Sequence, residues 1–387
     1  MPKRTKDKLT IGFVLDDGLD SSDGVQQYVL TLGKEFSDLG HDVHYLVGKT
    51  ARKDIPGVRS LARNVKVRFN GNRLTIPLPA SKQRIKKVLN AHNFDVLHVQ
   101  MPYSPFFGAK VIRLADKKTI VAGTFHIFPY GPLARAGTRM LGFCLRRTLR
   151  RFNILLSVSV AARDFAKYSF NIETEVSPNV VDISKYSPKD VHNSESHYPV
   201  RIVYIGRLVD RKGCIQLVQA YIDCLKQPQA VESELIIAGK GPQHTLLREM
   251  VEQADLNHKV SFLGFVSESE KVKLMQSADI AIFPSYAGES FGIVLIEAMA
   301  AGSGCVVGGD NPGYRSVLGG IPGSLIDVRD SAVFARELYD LITEPSRRKR
   351  LQQAQQQIIG QYDSKLVAQN LLIAYNIAKT KKTADNN

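Results

Sequence analysis

The sequence predicts an α/β protein made of two parallel-sheet, Rossmann-like domains. Short apolar runs alternate with helical patterns at the spacing of β–α units; the alternation halts at a polar stretch near the middle and then resumes. In both halves glycine-bearing loops follow the apolar runs, at the sheet edge where such folds bind ligands. A length of 387 residues suits two domains, and 44% hydrophobic with 23% charged residues is a globular profile.

Taken in order, residues 9–15 form a buried strand. The loop after it carries four aspartates and Gly24, and a helical pattern then runs from Val25 to about Leu39, closed by Gly40. This loop is not the glycine fingerprint of dinucleotide folds, and its acids repel a pyrophosphate, which disfavours a dinucleotide oxidoreductase. Strand patterns follow at 43–47, 65–69, 95–99, 119–124 and 154–158, with a basic helix over 81–92. Residues 184–199 are polar and aperiodic and read as a linker, between a first domain at 1–183 and a second at 200–363. The second series opens at 200–207 and passes through Asp210-Arg211-Lys212-Gly213 into a helix ending near Leu225. Its further strands are expected at 234–238, 260–263, 280–283 and 305–307. A helical pattern fills 364–380, and the chain from Lys381 onward is expected to fray.

Composition narrows the classes. No apolar run approaches the roughly eighteen residues of a spanning helix, and the first eight residues lack a signal-peptide core. Cys144, Cys214, Cys224 and Cys305 are scattered without metal or redox spacing, so a cytoplasmic protein with reduced thiols is expected. The formal charge of +15 is uneven: residues 1–200 hold 31 basic and 17 acidic residues, whereas 201–387 hold 21 and 20. One half therefore suits an anionic partner. Two segments carry the charge, the basic amphipathic stretch 82–89 and the stretch 135–151, where six arginines lie among leucine, methionine and phenylalanine. Such helices suit an anionic membrane surface; solvated helix faces are the plainer alternative. No nucleic-acid motif accompanies them.

The most informative stretch is residues 288–302, Gly-Glu-Ser-Phe-Gly-Ile-Val-Leu-Ile-Glu-Ala-Met-Ala-Ala-Gly. It follows the apolar run ending in Phe283-Pro284 and reads as strand, turn, helix, with Glu289 before the helix, Glu297 within it and Gly302 at its end. The open amides of the helix start make an anion site. Carboxylates beside an anion site suit sugar or ribose hydroxyls, which donate to them.

This string resembles the E-x(7)-E signature of the retaining, two-domain family 4 glycosyltransferases of GT-B architecture. Asp23-Gly24-Val25-Gln26, Phe94-Asp95-Val96-Leu97-His98 and Thr124-Phe125-His126 make the resemblance closest to bacterial phosphatidylinositol mannosyltransferases. It implies a nucleotide-sugar cleft between two Rossmann-like domains, with the helix at 364–380 completing the first. Gly24 would admit the donor phosphate, although Asp23 and Val180 stand where the family has glycine. His126 would sit on the acceptor side, and Arg207 with Lys212 would grip the diphosphate. Glu289 would accept from the donor sugar and Glu297 from the ribose. Gly239 and Val266 would lie on the base side, the backbone of Phe291, Gly292 and Ile293 would donate to phosphate, and no metal is expected. Glu268 matches the donors of guanine, or else caps the helix after it. The expected activity is transfer of mannose from GDP-mannose to a lipid such as phosphatidylinositol at the inner face of a membrane, without nucleic acid. Alternatives are a UDP-sugar-dependent glucosyl- or N-acetylglucosaminyltransferase, or a non-catalytic sugar- or nucleic-acid-binding relative.

Overall fold

The computed structural model of the chain describes residues 8–21, 23–69, 72–77, 80–126, 132–186, 198–227 and 232–384. The chain divides into two compact units, Met1–Val180 with Ser364–Asn387, and Val181–Asp363.

In the first unit, β1 (Thr10–Leu15), β2 (Asp42–Val47) and β3 (Val58–Ser60) precede an antiparallel hairpin of β4 (Asn64–Phe69) and β5 (Asn72–Pro77). Then come β6 (Val96–Gln100), β7 (Ile120–Phe125), β8 (Ile154–Ser157) and β9 (Glu175–Val176). Apart from the hairpin these strands form one parallel sheet, ordered β3-β2-β1-β6-β7-β8-β9. The helices are α1 (Gly24–Asp38), α2 (Lys82–His92), α3 (Phe107–Leu114), α4 (Pro132–Leu149) and α5 (Val160–Phe170). Parallel strands are covered on both faces, which is why β1 is an unbroken apolar run with Ile11, Phe13, Val14 and Leu15 at most 1% exposed. The C-terminal helix Ser364–Ala384 joins this unit. Its Val367, Ala368, Leu371 and Tyr375 pack in the same core as Val29, Leu32 and Phe36 of α1. Lys379 pairs with Asp95 at 2.8 Å, and the Ser364 hydroxyl donates to buried Glu35 at 2.7 Å.

The second unit repeats the plan. After the single turn α6 (Ile183–Tyr186), strands β10 (Val200–Ile205), β11 (Ser233–Ala238), β12 (Val260–Gly264), β13 (Ile280–Phe283), β14 (Cys305–Gly309) and β15 (Leu325–Ile326) form a parallel sheet ordered β12-β11-β10-β13-β14-β15. Its helices are α7 (Cys214–Leu225), α8 (His244–Gln253), α9 (Glu268–Gln276), α10 (Ile293–Ala301), α11 (Pro312–Leu318), α12 (Ser331–Thr343) and α13 (Pro345–Ile358). From β10 the chain winds one way to β11 and β12, then returns to β13 and winds the other way. The crevice beyond the carboxyl ends of β10 and β13 is therefore a topological switch point, where open α/β sheets take ligands. The first sheet has its own, between β1 and β6.

Four differences from the sequence reading stand out. The unit boundary falls at Val181, ahead of the expected linker start at residue 184, because Val181 bridges to Asp363 and α6 belongs to the second unit; residues 187–197 of that linker lie outside the described residues. Strands β3, β5, β9 and β15 were not expected. The last helix runs on to Ala384 rather than fraying from Lys381, while residues 385–387 lie outside the described set. Glu268 does not cap α9: Ser267 does, accepting from the Glu270 amide while Glu270 accepts from the Ser267 amide at 2.7 Å.

Candidate active site

Two loops meet at the β10–β13 switch point. The first leaves β10 through Gly206 and Arg207, turns through a 3₁₀ segment at Asp210–Lys212, and reaches α7 through Gly213 in the left-handed region (φ 71°). The second leaves β13 at Pro284 and runs through Glu289 to α10. They touch closely, since a Cβ on Gly213 would stand 2.0 Å from the Pro284 carbonyl oxygen. Backbone and side chain tie them together: the Tyr286 amide donates to the Arg211 carbonyl at 3.1 Å, and the Tyr286 hydroxyl donates to Asp210.

The loops hold one charge cluster. Oε1 of Glu289 lies 2.8 Å from Nη1 of Arg211 and 2.8 Å from Nζ of Lys212, and all three side chains are at most 20% exposed. Burial pushes the Glu289 carboxyl up, but Lys212 and Arg211 beside it prevail and hold it below the usual carboxylate range. Of the sequence-predicted residues, the structure thus joins Lys212 and Glu289. Arg207 is exposed, five residues from Lys212, and its side chain has no ion pair among the described residues. Sequence reasoning passed over Arg211. The signal was there in the Arg-Lys pair, of which only the second residue was assigned a role.

Helix α10 begins where expected. Gly292 is its N-cap at φ 106°, a conformation open to glycine, and a Cβ there would stand 2.6 Å from the Tyr314 ring. Buried Phe291 packs edge-on against Tyr362, and Ile293 opens the helix, whose first-turn amides lack an intrahelical acceptor. A Cβ on Gly239 would stand 1.8 Å from the Gly206 carbonyl oxygen, so glycine lets the turn after β11 pack against the start of the β10 loop.

Glu297 sits in the second turn of α10, 4% exposed. Lys271 of α9 reaches its Oε1 at 2.9 Å, and the Tyr186 hydroxyl donates to the same atom at 2.8 Å. Lys271 also pairs with Glu268 at 2.8 Å, so Glu268, next to Val266 and Ser267, is tied to Glu297 through one ammonium. Burial would lower the Lys271 pKa, but Glu297 and Glu268 raise it on balance. Among the described residues, both hydrogen bonds to Glu297 fall on Oε1 and none on Oε2. Neither Lys271 nor Tyr186 was foreseen, because each is far from Glu297 in sequence.

In the first unit, His126 follows β7 at its carboxyl end and is buried. The Gln100 amide donates from Nε2 to the His98 carbonyl at 3.4 Å, which turns its Oε1 to within 2.7 Å of His126 Nε2. His126 therefore carries its proton on Nε2 and presents Nδ1 as an acceptor. Burial, with His98 nearby, pushes its pKa down to about 3, so the ring is neutral. Tyr28 of α1, the helix opened by Gly24, lays its ring edge against His126 at 5.0 Å. His98 is pinned between the Thr124 and Tyr375 hydroxyls, each at 2.7 Å.

Two family models match the chain, "Glycosyltransferase Family 4" over residues 22–185 and "Glycosyl transferases group 1" over residues 189–358. The chain belongs to the family 4 glycosyltransferases. Among curated relatives, the phosphatidyl-myo-inositol mannosyltransferase of Mycolicibacterium smegmatis is 29% identical, over 95% of this chain and 93% of its own. Among solved structures, a glycosyltransferase from Rickettsia africae superposes with a TM-score of 0.76 at 17% identity, covering 96% of this chain and 99% of its own. Anabaena HepE, in complex with UDP and glucose, superposes with a TM-score of 0.71 at 19% identity, covering 94% and 98%. Both have the GT-B arrangement of two parallel-sheet domains that the resemblance implied. A family 4 glycosyltransferase is thus the frame for the residues above.

Proposed function

We propose that this glycosyltransferase moves mannose from GDP-mannose to a lipid of the phosphatidylinositol kind, with retention of anomeric configuration, at the inner face of a membrane. The observation that carries the reading is the Glu289–Arg211–Lys212 cluster at the β10–β13 switch point, beside the start of α10. A nucleotide-sugar needs positive charge to bind its diphosphate, and more as charge builds on the departing diphosphate. Lys212, Arg211 and exposed Arg207 supply it, together with the amides near Phe291, Gly292 and Ile293. No metal need be added. Glu289 then accepts from sugar hydroxyls, and Oε2 of Glu297 accepts from the ribose. Gly239 and Val266 border the base, with Glu268 as the acceptor for guanine N–H groups.

In the proposed step the acceptor oxygen attacks C1 on the face the diphosphate leaves. The C1–O bond to phosphate breaks with its electron pair going to GDP, and the acceptor proton passes to the leaving phosphate oxygen. His126, neutral and with no partner on Nδ1 among the described residues, orients a hydroxyl and does not act as a strong base. The Mycolicibacterium smegmatis relative supports the choice of mannose and a phosphatidylinositol acceptor. The second reading, a UDP-sugar donor, is favoured by the fold neighbour solved with UDP and glucose. Incubating the protein with radiolabelled GDP-mannose, or with UDP-glucose, and phosphatidylinositol vesicles separates the two. Label in the lipid fraction from GDP-mannose alone, in an α linkage, is the expected result. Transfer only from the UDP-sugar replaces the donor, and a β linkage removes retention.

A further inference from the structure

We propose that the groove between α4 and the end of α5 is a seat for the phosphate headgroup of an anionic bilayer lipid, one that is held and not transformed. This deepens the membrane-facing part of the proposed function and rests on that part alone. The groove encloses about 490 Å³. It exists because Gly142 lets α4 approach α5 closely: a Cβ there would stand 2.6 Å from the Ser169 carbonyl oxygen. Arg139, Arg146 and Arg150 line it, with Phe143 and Tyr168 as walls. The Arg139 guanidinium lies 5.1 Å over the Tyr168 ring, and Arg146 and Arg150 make no ion pair among the described residues. Among the described residues no acid lines the groove, and the sequence of α4 contains none.

Arginines near a helix C-terminus complement its dipole, which gives Arg146 and Arg147 a purely structural use. That use does not account for their apolar neighbours. Phe143 is 80% exposed and Met140 72%, on the same stretch of α4 as the arginines. Unpaired guanidiniums beside large apolar side chains match the headgroup and acyl layers of an anionic leaflet. Among the described residues the lining holds no carboxylate or imidazole, and none of the residues assigned to transfer lies in it, so a lipid seated there is anchored rather than processed.

The test uses the full chain, labelled with an environment-sensitive dye at Cys144, the one exposed cysteine of the four. Vesicles of phosphatidylcholine with about a third phosphatidylglycerol are titrated in. At about 1 kcal/mol per surface arginine, Arg146→Gln with Arg150→Gln should weaken binding about thirtyfold. Lys349→Gln with Arg350→Gln, the same charge change on exposed residues of α13, should leave it within about twofold. Phe143→Ser should weaken it independently. Equal losses in the two charge pairs would mean diffuse attraction and overturn the site. So would equal binding to pure phosphatidylcholine, equal occupancy by soluble glycerol phosphate, or Arg146/Arg150-dependent binding of single-stranded DNA in place of vesicles. GDP titration of the same variants keeps the donor reading separate, because the groove variants should bind GDP as the parent does.

Discussion

Replacing Glu289 by Gln should separate stability, nucleotide binding and transfer in a pattern peculiar to its position. The substitution removes a carboxylate that two cations share at 2.8 Å, in a place where none of the three side chains is more than 20% exposed. Breaking a buried pair costs about 3–5 kcal/mol when the leftover charge stays dry. Here Arg211 retains the Ala287 and Gly288 carbonyls as acceptors and both cations touch solvent, so a loss of about 1–3 kcal/mol is expected. The same release frees both cations for a diphosphate. GDP, which has no sugar for Glu289 to hold, should then bind roughly tenfold more tightly, equivalent to one charge-assisted hydrogen bond of about 1.5 kcal/mol. Transfer should nonetheless fall by about 10²–10³, the cost of losing one oriented group at the reacting sugar. Thermal unfolding, calorimetric titration with GDP and a lipid-extraction transfer assay measure the three quantities. Normal transfer with unchanged GDP affinity would refute the placement of Glu289 at the donor.

Other consequences follow from the same geometry. His98 and His126 are both pushed down to about 3 by burial, whereas an unfolded histidine titrates near 6.5. The unfolded chain therefore binds more protons across that window. Stability should rise with pH through it and fall on acidification below about 6.5, by up to about 1.4 kcal/mol per pH unit for each ring; thermal unfolding from pH 7 to 5 measures it, and a flat profile contradicts neutral burial. Gln100→Glu would place a carboxylate against His126 Nε2, stabilise the charged ring and shift the acid limb of the rate–pH profile; an unshifted profile would remove Gln100 as the residue that positions His126. Gly213→Ala must resolve a contact of 2.0 Å at φ 71°, so a stability loss of about 2 kcal/mol or more with weakened GDP binding is expected, read by denaturant unfolding and titration. Tyr186→Phe deletes one hydrogen bond to Glu297 Oε1 and should weaken nucleotide binding several-fold, about 1 kcal/mol, in the same calorimeter.

Much of this was legible in the chain because it is local. The run at 280–283, the break at Gly292 and the stop at Gly302 specify strand, turn and helix with no help from distant residues, and β13 and α10 fall where they read. The hairpin was half seen. Strand β4 alternates Val65, Val67 and Phe69 with polar residues, whereas β5, of the same length, offers only Leu74 and Ile76 before Pro77, so its pairing partner is its clearest signal. The site divides the same way. Glu289 and Lys212 stood out through motif spacing, whereas Arg211 gains its meaning only when the β13 loop brings Glu289 within 2.8 Å. Lys271 and Tyr186 lie 26 and 111 residues from Glu297, and Gln100 lies 26 from His126. Tertiary folding alone makes these pairs, and no periodicity in the sequence marks them.

The central claim is that the β10–β13 crevice takes a guanine nucleotide diphosphate on Arg207, Arg211 and Lys212 without a metal. Calorimetric titration of the full chain with GDP, UDP and ADP, each in the presence of a chelator, tests it directly. The account predicts saturable GDP binding at least tenfold tighter than that of UDP or ADP, lost on combined Arg207→Ala and Lys212→Ala substitution. Preference for UDP would contradict the assigned base and sugar, and binding unaffected by the double substitution would contradict the site.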